Sequence, residues 1–225
     1  MFKPFFDFEP MDVEIRRKLE SMHATSDDLF AELVGGAKTD GLGQDGVTRI
    51  EGLYAALCEQ NAGDGDGSAL NHPIRVAATW WKMSGKHIYE TLAFGLCHNI
   101  RETGNNALQG IEDAFLSSAS RGAIGLLTID RGRERDLSYL ASYYDAIVEH
   151  GNGLMTLKGL DKLDNFLSYP LYDLDPYYFM VVDDYVTPRL AKENAALASY
   201  LQSVADCVRT ESAKVTYRAL EIPQT

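Results

Sequence analysis

The chain has 225 residues, 45% of them hydrophobic and 24% charged, which is enough to bury a core in one domain of ordinary composition. Its net charge of −12 argues against extended contact with nucleic-acid phosphates, and its apolar stretches are too short and interrupted to span a bilayer. Because the start, MFKPFFDFEPMD, lacks the long apolar run and small-residue cleavage site of a secretory signal, a cytoplasmic protein is expected, with neither nucleic acid nor membrane as a partner.

In chain order, residues 11–33 read as a helix with Val13, Ile15, Leu19, Met22, Leu29 and Leu33 inward. The glycine-rich GGAKTDGLGQDG (35–46) reads as a loop. Residues 49–59 carry Ile50, Leu53, Tyr54, Leu57 and Cys58 at helical spacing. NAGDGDGSALN (61–71) alternates acids with glycines, but it lacks the closing Glu of a calcium loop and reads as a loop. Pro73 suits the first residue of a helix running to about Lys82. Residues 87–102 place Ile88, Leu92, Leu96 and Ile100 every four residues, an amphipathic pattern. Residues 108–127 read as two helical pieces and the charged turn at Asp130, Arg131, Arg133 and Arg135 as a solvated loop. Residues 133–150 form a further helix with Leu137, Leu140, Tyr144, Ile147 and Val148 inward.

After the HGNG turn, residues 153–169 are helical with Leu157, Leu160, Leu163 and Leu167 facing the core. The Tyr- and Asp-rich 169–187 has no clear period. Residues 189–209 read as one long helix with Leu190, Leu197, Leu201, Val204 and Val208 on one stripe, which suits the bundle or a second subunit. With too few β-branched runs for a sheet, the expected fold is an all-α helical bundle spanning 1–225, with a core at about 68–170 and a C-terminal helical extension at about 171–225. The separated Cys58, Cys97 and Cys207 form no CxxC pair, so neither a disulfide framework nor a thiolate zinc site is expected.

Three segments carry candidate chemistry: LNHPIRVA (70–77), TLAFGLCHNIRETGN (91–105) and LKGLDKLDNF (157–166). They set two imidazoles and several oxygen ligands on three helices. Glu102 follows His98 by four residues, and Asn165 follows Asp161 by four, so each pair is expected on one helical face. Packed together, His72, His98 and Asp161 suit manganese, iron or zinc better than calcium.

These motifs resemble the HD family of metal-dependent phosphohydrolases, most closely the hydrolase domain of the RelA/SpoT type and its small stand-alone relatives. There a helix opens with HP, a second reads apolar-apolar-HD-apolar-x-ED-T and a third KLADRLxN. The counterparts here are His72-Pro73, the run from Leu96 to Thr103, and the run from Lys158 to Asn165. What the resemblance implies is an HD-like bundle that hydrolyses a nucleotide or related small phosphate ester, with a guanosine polyphosphate as the family-led choice. Its metal ligands would be His72, His98, Asn99 and Asp161, holding a divalent ion expected to be manganese, with iron, zinc or magnesium as alternatives. Glu102 and Asn99 would serve catalysis, while Lys162, Asn165 and Thr103 would line the substrate pocket. Asn99 stands where the family has Asp, and Thr103 where it has a second acid. The basic pair that precedes the first His in the RelA/SpoT type is missing. The alternatives are therefore a degenerate HD domain that senses a nucleotide, a substrate-trapping variant in which Asn99 replaces Asp, and a structural helical partner that forms a homo-oligomer.

Overall fold

Thr25 sets where the first described helix begins. Its Oγ1 accepts the Asp28 amide at 3.1 Å while the Asp28 carboxylate takes the Thr25 hydroxyl at 2.8 Å, a reciprocal cap that starts α1 (Ser26–Thr39). The computed structural model describes residues 24–61, 69–103, 108–167 and 175–209, together with residue 14. Most of the expected 11–33 helix lies outside these residues. Its described part does not run through Thr25, and it continues beyond Leu33 across Gly35 and Gly36, where a loop was expected. Tertiary contacts outweigh the low helix propensity of glycine here. Asp40 closes the helix on the Gly36 carbonyl (2.9 Å), and its own carboxylate is held by Trp81 Nε1 (2.9 Å) and Lys82 (3.0 Å).

The described residues form helices and connecting turns only. After α1 come α2 (Gln44–Gln60), α3 (Asn71–Ser84), α4 (Tyr89–Cys97), a 3-10 turn (Ile100–Thr103), α5 (Leu108–Phe115) and α6 (Ser118–Leu127). Then follow α7 (Leu137–His150), α8 (Leu154–Leu167), α9 (Pro176–Val181), a wide π turn (Val182–Val186), α10 (Thr187–Glu193) and α11 (Ala195–Arg209). The all-α bundle expected from the sequence is what forms, and no described helix is long and apolar enough to cross a membrane.

Four boundaries differ from the sequence reading. α2 starts at Gln44, five residues early. The expected 87–102 helix runs only from Tyr89 to Cys97, and Ile88, just before its start, is 57% exposed. The helix expected from 133 begins at Leu137, where Asp136 accepts the Ser138 and Tyr139 amides, and Leu137 at that first position is 52% exposed. The expected 189–209 helix breaks at Asn194, whose Oδ1 accepts the Leu197 amide at 3.0 Å and starts α11 afresh. Its apolar stripe is buried all the same, within the chain. Leu190, Leu197 and Leu201 are 0% exposed, with α11 lying against α8 and α10.

Three packing arrangements position the site. α3 lies against α4 more extensively than any other described pair, because Gly95 allows it: a Cβ there would stand 2.8 Å from the Ala77 Cα. The start of α3 is tied to α1 by Ser26 Oγ, which donates to Asn71 Oδ1 at 2.7 Å, and by Asn71 Nδ2, which donates to the Ala24 carbonyl at 3.0 Å. α8 runs through the interior and touches α3, α7, α10 and α11. It is buried nearly all round from Leu154 to Asp161, so its charged residues are inside. A Cβ at Gly159 would fall 2.6 Å from Leu190 Cδ2, so α10 sits directly on α8 there.

Candidate metal centre

His72 stands in the first turn of α3, His98 caps the end of α4 and Asp161 lies on the inner face of α8. These distant positions converge, with one ligand atom from each lying within 4.8 Å of the other two. His72 Nε2 is 3.3 Å, and His98 Nε2 3.9 Å, from Asp161 Oδ1. Three donors about 2.1 Å from one ion, in tetrahedral array, lie roughly 3.4 Å apart. The cluster is therefore close to ligating dimensions.

Hydrogen bonds fix which nitrogen of each ring faces inward. A carbonyl can only accept, so His98 Nδ1–H donates to the Gly95 carbonyl at 2.7 Å, and Nε2 is the nitrogen that faces Asp161. That Nε2 is buried without a hydrogen-bond partner. His72 Nδ1–H donates to Asp164 Oδ2 at 2.7 Å, again turning Nε2 toward Asp161. Arg75 holds Asp164 in turn, through Nε at 3.0 Å and Nη2 at 3.1 Å. Carboxylate-backed imidazoles of this kind are characteristic of metal ligands. The same Gly95 bond explains why α4 stops, since the imidazole takes a carbonyl of its last turn.

Electrostatics keep the oxygen ligand ionised. Burial alone would raise the pKa of Asp161, but the Lys158 and Lys162 ammonium groups outweigh it and hold the carboxyl well below its ordinary value. Their Nζ atoms stand 3.2 and 3.5 Å from Asp161 Oδ2. Burial pulls His72 down, but bonds to Asp161 and Asp164 overcome this and raise it above the ordinary 6.5. What Asp161 faces is thus a place for a positive charge, either a proton on His72 or a cation between the three donors. Lone pairs from two neutral imidazoles and one carboxylate fit a divalent transition ion.

The other expected site residues are spread around this cluster. Asn99 occupies the turn beside His98, half-buried, and is tied in through its carbonyl, which accepts the Glu102 amide at 2.9 Å. Glu102 does not share a helix face with His98, because α4 has already ended; it sits on the 3-10 turn. Its carboxylate pairs with Arg131 at 2.8 Å and approaches Lys158 at 3.5 Å. Asn165 does share a face with Asp161, as its spacing implied, and its Nδ2 reaches Asp161 Oδ1 (3.4 Å) and the Tyr178 hydroxyl (3.2 Å). Lys162 packs its ammonium over the Tyr178 ring at 5.0 Å. The side chain of Thr103 lies outside the described residues.

Lys158 and Lys162, which pair with Asp161, also line a cleft of about 200 Å³ whose lining residues do not include His72, His98 or Asp161. Arg131 and Arg135 edge the same cleft from the charged turn, which is solvent-exposed as expected. Tyr144, Tyr177 and Tyr178 supply aromatic walls. Burial pushes the Tyr178 hydroxyl up to about 12, which keeps it a neutral donor. Glu102, Glu134 and Asp175 line the cleft as well and pair with its arginines. No family model, no curated protein and no solved structure matches this chain.

Sequence reading alone gave no role to Asp164, Arg75 or Lys158. A signal was present, because Arg75 lies three residues after His72 and Lys158 three before Asp161, the spacing that stacks side chains on one helix face.

Proposed function

We propose that this chain is an HD-type, metal-dependent phosphohydrolase acting on a nucleotide or a related small phosphate ester. The observation that carries this reading is the buried, unpartnered Nε2 of His98, facing His72 Nε2 and Asp161 Oδ1 beside a cleft with four cationic side chains. A buried ring nitrogen with no partner costs stability unless a ligand satisfies it. His72, His98 and Asp161 would hold the ion, which when bound lowers the pKa of a water and offsets phosphate charge. Lys162 and Arg131 bind phosphate oxygens and Tyr178 faces the remainder of the substrate. In the hydrolysis, a water oxygen bonds to phosphorus, the ester P–O bond breaks, and a proton from the water ends on the leaving oxygen.

Glu102 favours a second reading. Both of its oxygens face cations, Arg131 at 2.8 Å and Lys158 at 3.5 Å, so its carboxylate is already engaged by the protein. With Asn99 in place of the family Asp, these contacts suit a degenerate HD domain that binds a nucleotide without cleaving it.

The test is manganese-dependent phosphate release from a panel of nucleoside mono-, di- and triphosphates and guanosine polyphosphates, for the parent chain and for His98→Ala. Turnover that His98→Ala abolishes supports the hydrolase. Nucleotide-induced thermal stabilisation without release supports the sensor. Neither effect in the parent chain overturns both.

A further inference from the structure

The Asp161 carboxylate faces two ways. Its Oδ1 looks to the imidazoles, at 3.3 Å from His72 and 3.9 Å from His98, while its Oδ2 looks to Lys158 at 3.2 Å and Lys162 at 3.5 Å. In two-metal phosphohydrolases a carboxylate can bridge the two ions, which stand about 3.5–4 Å apart and clamp the phosphate from both sides. Here the second side of the bridge is taken by two ammonium groups.

Building on the phosphohydrolase reading, we propose that Lys158 is a substrate-contacting catalytic residue, which with Lys162 fills the place of a second cation and seats the phosphate beside a single divalent ion. Lys158 is 5% exposed, on a helix otherwise packed with Leu154, Leu157 and Leu160, where an aliphatic side chain would fill the same space. A buried ammonium is costly and persists where opposite charge or a ligand answers it. Its contacts are 3.2 Å to Asp161, 3.5 Å to Glu102 and 3.5 Å to the Leu127 carbonyl. The contact at 3.2 Å is an ordinary ion-paired hydrogen bond, whereas the two at 3.5 Å lie beyond the usual N–H···O range and leave those donors weakly engaged. Lys158, though 5% exposed, is one of the residues that line the cleft, together with Lys162 and Arg131. A divalent ion at Oδ2 would meet both ammonium groups, and that repulsion limits the site to one metal.

The experiment is calorimetric titration of the metal-stripped full chain with MnCl2, then of the manganese-loaded chain with inorganic phosphate. The parent chain is expected to take one manganese and one phosphate. Lys158→Met is expected to keep one manganese, bound at least as tightly because a competing charge is gone. It is expected to lose roughly tenfold to hundredfold in phosphate affinity, the loss of charged hydrogen bonds. Lys158→Arg is expected to restore most of that affinity. Two manganese ions per parent chain, or unchanged phosphate binding in folded Lys158→Met, overturns the proposal while leaving the metal site intact. A parent chain that binds no manganese overturns the underlying metal reading and this proposal with it. Should Lys158→Met not fold, the parent stoichiometry and Lys162→Met, expected to weaken phosphate in the same sense, decide the matter.

Discussion

Asp164 Oδ2 accepts the Nδ1–H of His72 at 2.7 Å, and the same carboxylate is forked by Arg75 at 3.0 and 3.1 Å. Arg75 thus orients Asp164, Asp164 orients His72, and His72 presents Nε2 to Asp161. Because Arg75 is 6% exposed, its pair with Asp164 lies largely out of water, where charged hydrogen bonds are strongest.

Asp164→Asn removes the charge that backs the imidazole while keeping the side chain's size. We expect manganese affinity to fall about 10- to 100-fold, the range for lost supporting contacts at metal ligands. Titration of the stripped variant checks this. Unchanged affinity would show that His72 is not held as a ligand by Asp164.

The raised pKa of His72 has two consequences of opposite sign. Without metal, the protonated ring between Asp161 and Asp164 adds stability that is fully present below 6.5 and is lost as pH rises through its folded value. Metal binding needs the neutral ring, so affinity should rise over the same interval. The manganese-induced increase in Tm should therefore be larger at pH 8 than at pH 6. A larger increase at the lower pH would contradict His72 ligation.

Asn99→Asp adds a negative charge beside His98. If position 99 completes the ligand set, manganese should bind more tightly by about one to a few kcal/mol. Phosphate release should rise with it in a hydrolase, and the metal alone should tighten in a sensor. Elemental analysis and phosphate assay on both forms check this, and no change in either excludes position 99 from the site.

Gly95→Ala tests the close approach of α3 and α4. Its Cβ would meet the Ala77 backbone at 2.8 Å, so the helices must part. Overpacking of this kind costs about 1–3 kcal/mol, with a fall in Tm of roughly 2–4 °C for each kcal/mol in a chain of this size. Because His98 caps α4 and α3 carries His72, manganese affinity should drop as well. Thermal melts and titration of the variant read both effects.

The all-α fold was legible because apolar residues recur at helical spacing along nearly every element: Leu157, Leu160, Leu163 and Leu167 all proved buried. Asp161 and Asn165 were legible as a pair for the same reason. Boundaries set by side-chain hydrogen bonds were harder to read. Thr25, Asp136 and Asn194 each start a helix inside or beside a run whose apolar period gives no warning. The end of α4 was missed because its period continues through Ile100, while the His98 ring bonds back to Gly95. Glycine content misled at 35–36, where Trp81 and Lys82, more than forty residues away, hold the helix end through Asp40. The cleft was hidden for a different reason. It joins the charged turn at 131–135 to α8 and α9, a tertiary arrangement that no local pattern encodes.

If His72, His98 and Asp161 together hold a divalent cation, calorimetric titration of MnCl2 into the metal-stripped parent chain should show saturable binding of one ion, and a folded His98→Ala variant should lose it. No saturable binding to the parent chain, or equal binding by the two, would contradict this metal centre.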